Sequence, residues 1–480
     1  MRQITFFNLL IICFFIGCFY RPAFAQPSTK VRNLSLEEFY RQILAYHPVV
    51  RQANLMTEMG RQELRMARGG FDPKISFDYS RKEFKGTTYY NLVDSKLKVP
   101  TWIGDFEIGY NQYHGDFLNP ERSQPDAAGQ GFLGITVPLG QELIMDARRA
   151  VLRQAQFFQE IARADRIKEI NKILLSAAKD YWEWYFTYHQ YEYLDSAYAL
   201  ARQRYEGVVI SIGLGETAPI DSVDAQSVVQ NRNIERRQAE VELQNARIRV
   251  SNYLWGDNET PLVLADDLAP EDFLGLSGRP ALPNREDLLN FSAQNHPEII
   301  KLVNKLKQLA VEERLQQANL LPRLDLKYNL LRNIQNVDEQ TNLNFQNNYQ
   351  FGVNFEMPLF LRKERGKLNQ VRIKQSQTDF ELLQLRREIL NEVEAAYNEL
   401  LNSQTQIQLL DEITENFRIL RDAEVRKYLN GESSLFLINA REAKLIESQI
   451  KLEKQKANFE KARATLLWTS GQPFWESLLP

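Results

Sequence analysis

Apolar and polar residues alternate in four short segments of the chain. In "KISFDYS", Ile75, Phe77 and Tyr79 alternate with polar residues, and the same pattern recurs in "FLGITVPL" from Phe132, "RLDLKYNLL" from Arg323 and "QFGVNFEM" from Gln350. A period of two predicts strands with one apolar and one polar face. A further pair of alternating segments, 92–99 and 106–113, lies between Tyr89 and His114. This pair either extends a sheet or forms a surface hairpin.

Two long segments, about 146–212 and 367–429, contain no proline and hardly any glycine. Each predicts a helix of more than about sixty residues, or ~100 Å at about 1.5 Å per residue. In the second segment the apolar residues step by threes, fours and one seven, as in a coiled-coil seam. These residues are Ile389, Val393, Ala396, Leu400, Ile407, Leu410, Ile413, Phe417 and Leu420.

Glycines end both long segments. Gly213 and Gly215 follow the first, Asn430-Gly431 follows the second, and a new helix is predicted from Thr217 or Ser434. Such sequences are typical of the tips of antiparallel helical hairpins. The returning helices are about half as long as the outgoing ones. The opening helix of each half, which in the first half starts at a capping box of Ser35 and Glu38, would cover the remainder.

The chain is an internal duplication. "YHPVVRQ" around His47 and "NHPEIIK" around His296 are 249 residues apart (296 minus 47), and Glu63/Glu312 and Pro73/Pro322 keep this offset. The predicted organisation is a signal peptide (1–25), a first repeat (26–256), a proline-rich connector (257–284) and a second repeat (285–480). We interpret the two histidine-proline pairs as structural, at a helix first turn or kink, and not as a metal site.

The first 25 residues have the pattern of a cleaved secretory signal, with Ala23-Phe24-Ala25 before Gln26. Both cysteines, Cys13 and Cys18, fall in this segment. The mature chain therefore has no thiol for a disulfide, a metal or a nucleophile. Lipidation at Cys18 is an open alternative.

Charge excludes one class of partner. Removing Arg2 and Arg21 with the signal changes the formal net charge from -3 to -5, which gives no electrostatic case for nucleic acid. No histidine lies within helical reach of another, so no catalytic, cofactor or metal site is predicted. The aromatic run from Tyr181 to Tyr193 is interpreted as interhelical packing.

Past the signal, no stretch approaches 18 uninterrupted apolar residues, so a chain that crosses a membrane would use strands. Four strands cannot close a barrel, since the smallest outer-membrane barrels have about eight. We therefore expect several chains to share one barrel: two would give eight strands and three would give twelve. The long hairpins, with apolar stripes and no globular domain to cover them, require oligomerisation as well.

The duplicated helix-strand-helix order, "VPLG" and "MPLF" before the long helices, and "YLNGESSLFLINARE" at a tip resemble the outer-membrane factor family. These are the TolC-like efflux channels of Gram-negative bacteria. The resemblance implies a mainly α fold with membrane β: a homotrimer with a 12-stranded barrel in the outer membrane and a helical barrel crossing the periplasm. It also implies a periplasmic adaptor and an inner-membrane pump as partners, and a function as the passive exit duct of an efflux or type I secretion system.

The same resemblance assigns roles to tip residues. Tyr428, Gly431, Ser433 and Ser434 match the family's adaptor-docking turn, and Gly215 and Thr217 match it in the first half, where Ile212 replaces the tyrosine.

Family members often carry aspartates just inside the tips, where three copies ring the entrance. Asp221 and Asp224 fit that position, while the second half has Leu437 and Asn439. The competing interpretation is that acids in a first helical turn simply favour the helix dipole.

The principal alternative function is a surface-anchored coiled-coil scaffold or adhesin. The symmetric two-faced strands favour the duct. Two complete hairpins in tandem argue against a soluble adaptor. The sequence leaves open the cargo, the pump class and whether the entrance rests closed.

Overall fold

Two long helical hairpins form most of the molecule. The computed structural model describes residues 32–118, 129–215, 217–275, 284–333 and 347–478. The first hairpin pairs α3 (Ala147–Gly213) with α4 (Pro219–Ser251), and the second pairs α7 (Arg362–Leu429) with α8 (Leu435–Thr469). At 67 and 68 residues, the outgoing helices confirm the predicted length of ~100 Å. No helix in these ranges is long and apolar enough to cross a membrane.

Each half opens with two short helices instead of one rod. These are α1 (Leu36–Tyr46) and α2 (Pro48–Arg68) in the first half, and α5 (Arg285–Asn295) and α6 (Pro297–Ala318) in the second. His47 and His296 end the first helix of each pair and cap the second, whose first residue is the proline. Proline is tolerated there because a first-turn amide has no intrahelical partner. The structural interpretation of the histidines is confirmed.

The helices lie side by side in four columns. The α3 helix packs against α2 and α4 on one side and against α6 and α8 on the other, and α7 packs on α6 and α8. The end of α1 and the start of α2 contact the segment that follows α4: Arg51 of α2 pairs with Glu259 at 3.0 Å, and Gln42 Nε2 of α1 donates to the Trp255 carbonyl at 3.1 Å. The columns are therefore α2 with α4, α3, α6 with α8, and α7.

The predicted seam of α7 is buried only in part. Ile389, Val393, Leu400 and Ile407 are buried against α8 and its neighbours, as expected. Beyond Ile407, Thr414 continues the buried stripe, and Ile413 and Leu420 are exposed. The expected burial of Ile413 and Leu420 is therefore wrong within one chain. The buried positions of α7 continue seven residues after Ile407, at Thr414, and not at Ile413.

In the part of the chain that the structure describes, six strands form one antiparallel sheet. They are β2 (Lys74–Phe84), β3 (Thr87–Pro100), β4 (Asp105–His114), β5 (Gln130–Pro138), β7 (Arg323–Asn333) and β8 (Tyr349–Glu356), and they lie in this order across the sheet. Two three-residue strands, β1 (Arg32–Leu34) and β6 (Leu268–Pro270), pair in parallel and tie the connector to the first repeat.

The expectation of four strands per chain is wrong. The additional segment between Tyr89 and His114 forms β3 and β4, which lie between β2 and β5 and hydrogen-bond to both. It therefore extends the sheet and is not a surface hairpin. A twelve-stranded barrel from three chains needs four strands per chain, and the described sheet has six, so the structure does not confirm the twelve-stranded barrel that the resemblance implies.

The apolar face of this sheet is uncovered in the single chain. Ile75 is 81% exposed and Phe77 is 66% exposed, and large apolar side chains on β4, β5 and β8 are also exposed. The core of the molecule lies instead between the helices, where Phe39, Trp184 and Trp475 are almost completely buried. An apolar face of this size requires lipid or another chain to cover it. The predicted signal peptide and Cys18 lie outside the described residues.

Candidate functional site: the tips of the helical hairpins

The first tip is a glycine turn without a side-chain cap. The α3 helix ends at Gly213, and Gly215 has φ +77, in the left-handed region that glycine adopts without strain. The α4 helix starts with Pro219 at its first position and Ala218 at its N-cap. Thr217 thus precedes the helix, and the expected helix start at Thr217 is wrong, because proline fixes the start two residues later.

The second tip is more strongly tied by hydrogen bonds. Gly431 has φ +80, and the Glu432 amide donates to the Lys427 carbonyl at 2.9 Å, which closes the end of α7. Ser434 caps α8, accepting from the Leu437 amide at 3.4 Å. Ser433 Oγ donates to Glu424 Oε1 at 2.5 Å. The two serines therefore stabilise the turn itself, whatever else they bind.

Both tips expose apolar side chains. Tyr428 is 41% exposed, and beside it Leu429 and Phe436 are more exposed still. Leu214 and Ile220 are equally exposed at the first tip. The sequence interpretation missed these four aliphatic and aromatic residues. Their signal was present, since a turn between two charged helices is an unusual place for them unless another surface covers them.

The two aspartates lie where the sequence placed them. Asp221 is in the first turn of α4, Asp224 follows three residues later, and both are exposed. Residues three apart are neighbours on a helix surface, so the two carboxylates share one face. In the second hairpin, Asn439 is engaged by Arg204 Nη1 at 3.2 Å. The acidic pair therefore has no counterpart at that position.

A buried ion pair links the two hairpins near the tips. Arg204 of α3 reaches across to Glu442 of α8, with Nη2 to Oε1 at 3.1 Å and a second, shorter contact from Nη1 to Oε2. The side chains are only 21% and 10% exposed. The sequence interpretation missed this pair. Its signal is that Ile438, Glu442 and Leu445 follow helical spacing, which places a carboxylate on the apolar face of α8.

Further from the tips, a second carboxylate bridges α8 to the aromatic run of α3. Glu453 accepts from the Tyr185 hydroxyl at 2.6 Å and pairs with Lys456 at 2.8 Å. Burial and the neighbouring Glu453 raise the pKa of Tyr185 and raise that of Tyr193 to about 12, so both hydroxyls stay protonated and donate to Glu453. Tyr181, Trp184 and Tyr185 are buried in the core. The interpretation of this run as interhelical packing is confirmed.

The described residues contain no group of three or more metal-ligating side chains. His47 Nδ1 and His296 Nδ1 each accept from a first-turn amide at 3.2 Å, which leaves them committed to capping. The site is therefore a pair of tips with exposed apolar side chains, one acidic pair, and the ion pair of Arg204 and Glu442 that joins the hairpins, and its exposed apolar side chains are suited to contact with another surface.

Comparison with known proteins agrees with this architecture. Residues 288–472 match the family described as outer membrane efflux protein. No curated protein sequence matches the chain.

The described fold is that of several solved outer-membrane channels. The Campylobacter jejuni CmeC outer membrane channel is 13% identical with a TM-score of 0.62, over 91% of this chain and 85% of that one. Vibrio cholerae VceC is 14% identical with a TM-score of 0.62, over 91% and 96%. The open state of the Neisseria gonorrhoeae MtrE outer membrane channel is 14% identical with a TM-score of 0.64, over 91% and 89%. The resemblance to the outer-membrane factor family is confirmed.

Proposed function

We propose that this protein, whose second half matches the outer membrane efflux protein family, is the outer-membrane exit duct of a tripartite efflux or type I secretion system. One observation carries the proposal: a sheet with an exposed apolar face leads directly into helical hairpins ~100 Å long. A sheet of this kind suits a lipid bilayer, and hairpins of this length suit the aqueous space beneath it.

The working unit is a homotrimer. One chain supplies an open sheet with free edges at β2 and β8, and an open row of four helical columns. In lipid, each unsatisfied edge group would cost several kcal/mol, so the sheet has to close with other copies. Exposed apolar residues on the outer columns, such as Ile234 of α4 and Phe380 of α7, would then be covered by the neighbouring copies.

In this assembly the sheet lies in the outer membrane and the tips lie deepest in the periplasm. Tyr428, Gly431, Ser433 and Ser434, with Gly215 and Thr217, dock the periplasmic adaptor. The exposed Leu214, Ile220, Leu429 and Phe436 add apolar area to that contact. Three copies of Asp221 and Asp224 form a single acidic ring at the entrance. The inner-membrane pump supplies the energy, and the duct is passive and without catalysis.

The scaffold or adhesin alternative is not favoured. A scaffold in water does not need a sheet with one apolar and one polar face. The apolar face of this sheet is exposed, to 81% at Ile75, and the scaffold function does not explain it.

Solute permeability tests the proposed function. The mature protein and a variant with both tips shortened are reconstituted into liposomes, and uptake of a small neutral sugar is followed. A duct makes at least the shortened variant permeable, because its entrance cannot close. Liposomes that stay sealed with both proteins, at verified incorporation, would reject the duct.

A further inference from the structure

The inserted hairpin of β3 and β4 continues both faces of the sheet without interruption. Directly paired residues on antiparallel strands lie on the same face. The register therefore defines rows that cross all six strands. One row is apolar: Ile75, Leu97, Ile108, Leu133, Leu330 and Tyr349. The adjacent row is polar apart from one glycine: Lys74, Lys98, Glu107, Gly134, Asn329 and Gln350.

Ion pairs on the polar face also cross the insertion. Glu107 of β4 lies 3.6 Å from the Lys327 amine of β7, reaching over β5, and 3.9 Å from the Lys98 amine of β3. Asp105 at the start of β4 pairs with Arg148 in the first turn of α3 at 2.9 Å. The hairpin of β3 and β4 is thus bound to the second repeat and to α3, and it is an integral part of the sheet.

The hairpin has the height of a membrane crossing. At the helical end, Trp102 stacks on Phe71 at 5.4 Å, and at the far end Tyr89 stacks on Phe117 at 4.6 Å. The fourteen residues from Tyr89 to Trp102 extend about 43 Å at about 3.3 Å per step, or about 30 Å along the membrane normal at a strand tilt of about 45°. Aromatic groups at both ends of such a span are typical of outer-membrane strands.

A sheet of six strands is wide enough to cover the four helical columns of its chain. Four helical columns at about 8–10 Å between axes occupy about 36 Å of circumference. Six strands spaced about 4.8 Å apart and tilted by about 45° occupy about 40 Å, and four strands would occupy only about 27 Å. A six-stranded wall therefore meets the helical wall with little taper.

The free edges run in opposite directions. The β2 strand leads away from α2 and β8 leads back towards α7, with strict alternation between them. The β8 of one copy therefore meets the β2 of the next antiparallel, as the rest of the sheet does, and any closed ring has an even number of strands.

From these observations, and resting on the proposed trimeric duct, we infer that three six-stranded sheets close an eighteen-stranded barrel whose lumen is about as wide as the helical tube below it. Barrel diameter grows roughly linearly with strand number, so this lumen is about 1.5 times as wide as that of a twelve-stranded barrel. The narrowest part of the duct then lies at the tips and not in the membrane.

Single-cysteine labelling in lipid nanodiscs tests the inference, since the predicted mature chain has no cysteine of its own. Two matched pairs are compared: Lys96→Cys and Leu97→Cys in the inserted hairpin, and Lys327→Cys and Leu326→Cys in β7. A charged maleimide reports water contact, and spin-label relaxation by oxygen against a nickel chelate reports lipid contact. Native mass spectrometry of each variant must give the copy number of the parent.

The inference predicts three copies, maleimide labelling at 96 and 327, and lipid contact at 97 and 326. Three copies with lipid contact at 326 but water contact at 97 would place the hairpin outside the wall and overturn the eighteen strands, leaving the proposed function intact. A copy number other than three would also overturn the count. Water contact at both 97 and 326 would show that the sheet does not lie in the membrane, and it would reject the proposed function as well.

Discussion

At the scale of single residues, two histidines explain how each opening helix is divided. Each ring caps the helix that starts at the following proline, through Nδ1. The His296 ring is covered by Gly471, where an added Cβ would lie 2.6 Å from Cδ2. Burial lowers the pKa of His296 to about 4, with Lys168 reinforcing the shift and Glu298 opposing it.

The neutral, half-buried ring of His296 predicts acid sensitivity. The unfolded residue titrates near 6.5 and the folded one near 4, so protons bind the unfolded state preferentially in between. The contribution of the neutral His296 ring to the free energy of unfolding is fully present above about pH 6.5. It falls as the pH is lowered towards 4, by at most about 3 kcal/mol. His296→Asn keeps a good capping residue without the titration. Its melting temperature should fall less than that of the wild type between pH 7 and pH 4.5; equal falls would contradict the assignment.

The aspartate pair makes a prediction about ions. If Asp221 and Asp224 ring the entrance, Asp221→Asn with Asp224→Asn lowers cation selectivity, because the negative potential at the constriction is lost. Reversal potentials in a salt gradient across a planar bilayer measure this. The control is Asp257→Asn, an exposed acid in the connector, far along the chain from the tips. Unchanged reversal potentials in the double variant would leave only the helix-dipole interpretation.

At the scale of elements, Arg204 and Glu442 hold the first hairpin to the second near the tips. Removing one partner of a buried pair leaves an unpaired charge, which typically costs about 3–5 kcal/mol, while replacing both by apolar residues costs less. We therefore expect Arg204→Met to increase hydrogen exchange in the tip halves of α3 and α8, and Arg204→Met with Glu442→Met to restore part of the protection. If the loss of protection in the double variant equals the sum of the losses in the two single variants, Arg204 and Glu442 are not energetically coupled.

Some of the helices and strands could be predicted from the sequence, and others could not. Hairpins, glycine turns, the capping box at Ser35 and four strands follow from local rules of period and capping, and the structure confirms them. The position of β3 and β4 does not follow, because alternation shows that a strand is two-faced but not which strands it pairs with. The Arg204–Glu442 lock depends on the packing of helices 238 residues apart in sequence, which no local pattern specifies.

At the scale of the whole molecule, the duplication sets the architecture. Both repeats place two short helices, strands, a long helix and a returning helix in the same order. Among the residues that the structure describes, the extra strand pair occurs in the first repeat. In the proposed trimer, the columns of helices and the sheet have similar widths, and each chain forms one sector of the tube.

A cryo-electron microscopy map of the detergent-purified full-length protein tests this account most directly. The account predicts three copies around one axis, with a continuous lumen through the sheet and the helices that narrows at the tips carrying Asp221 and Tyr428. A map of a helical bundle packed solid along its axis, or of sheets that do not close, would contradict it.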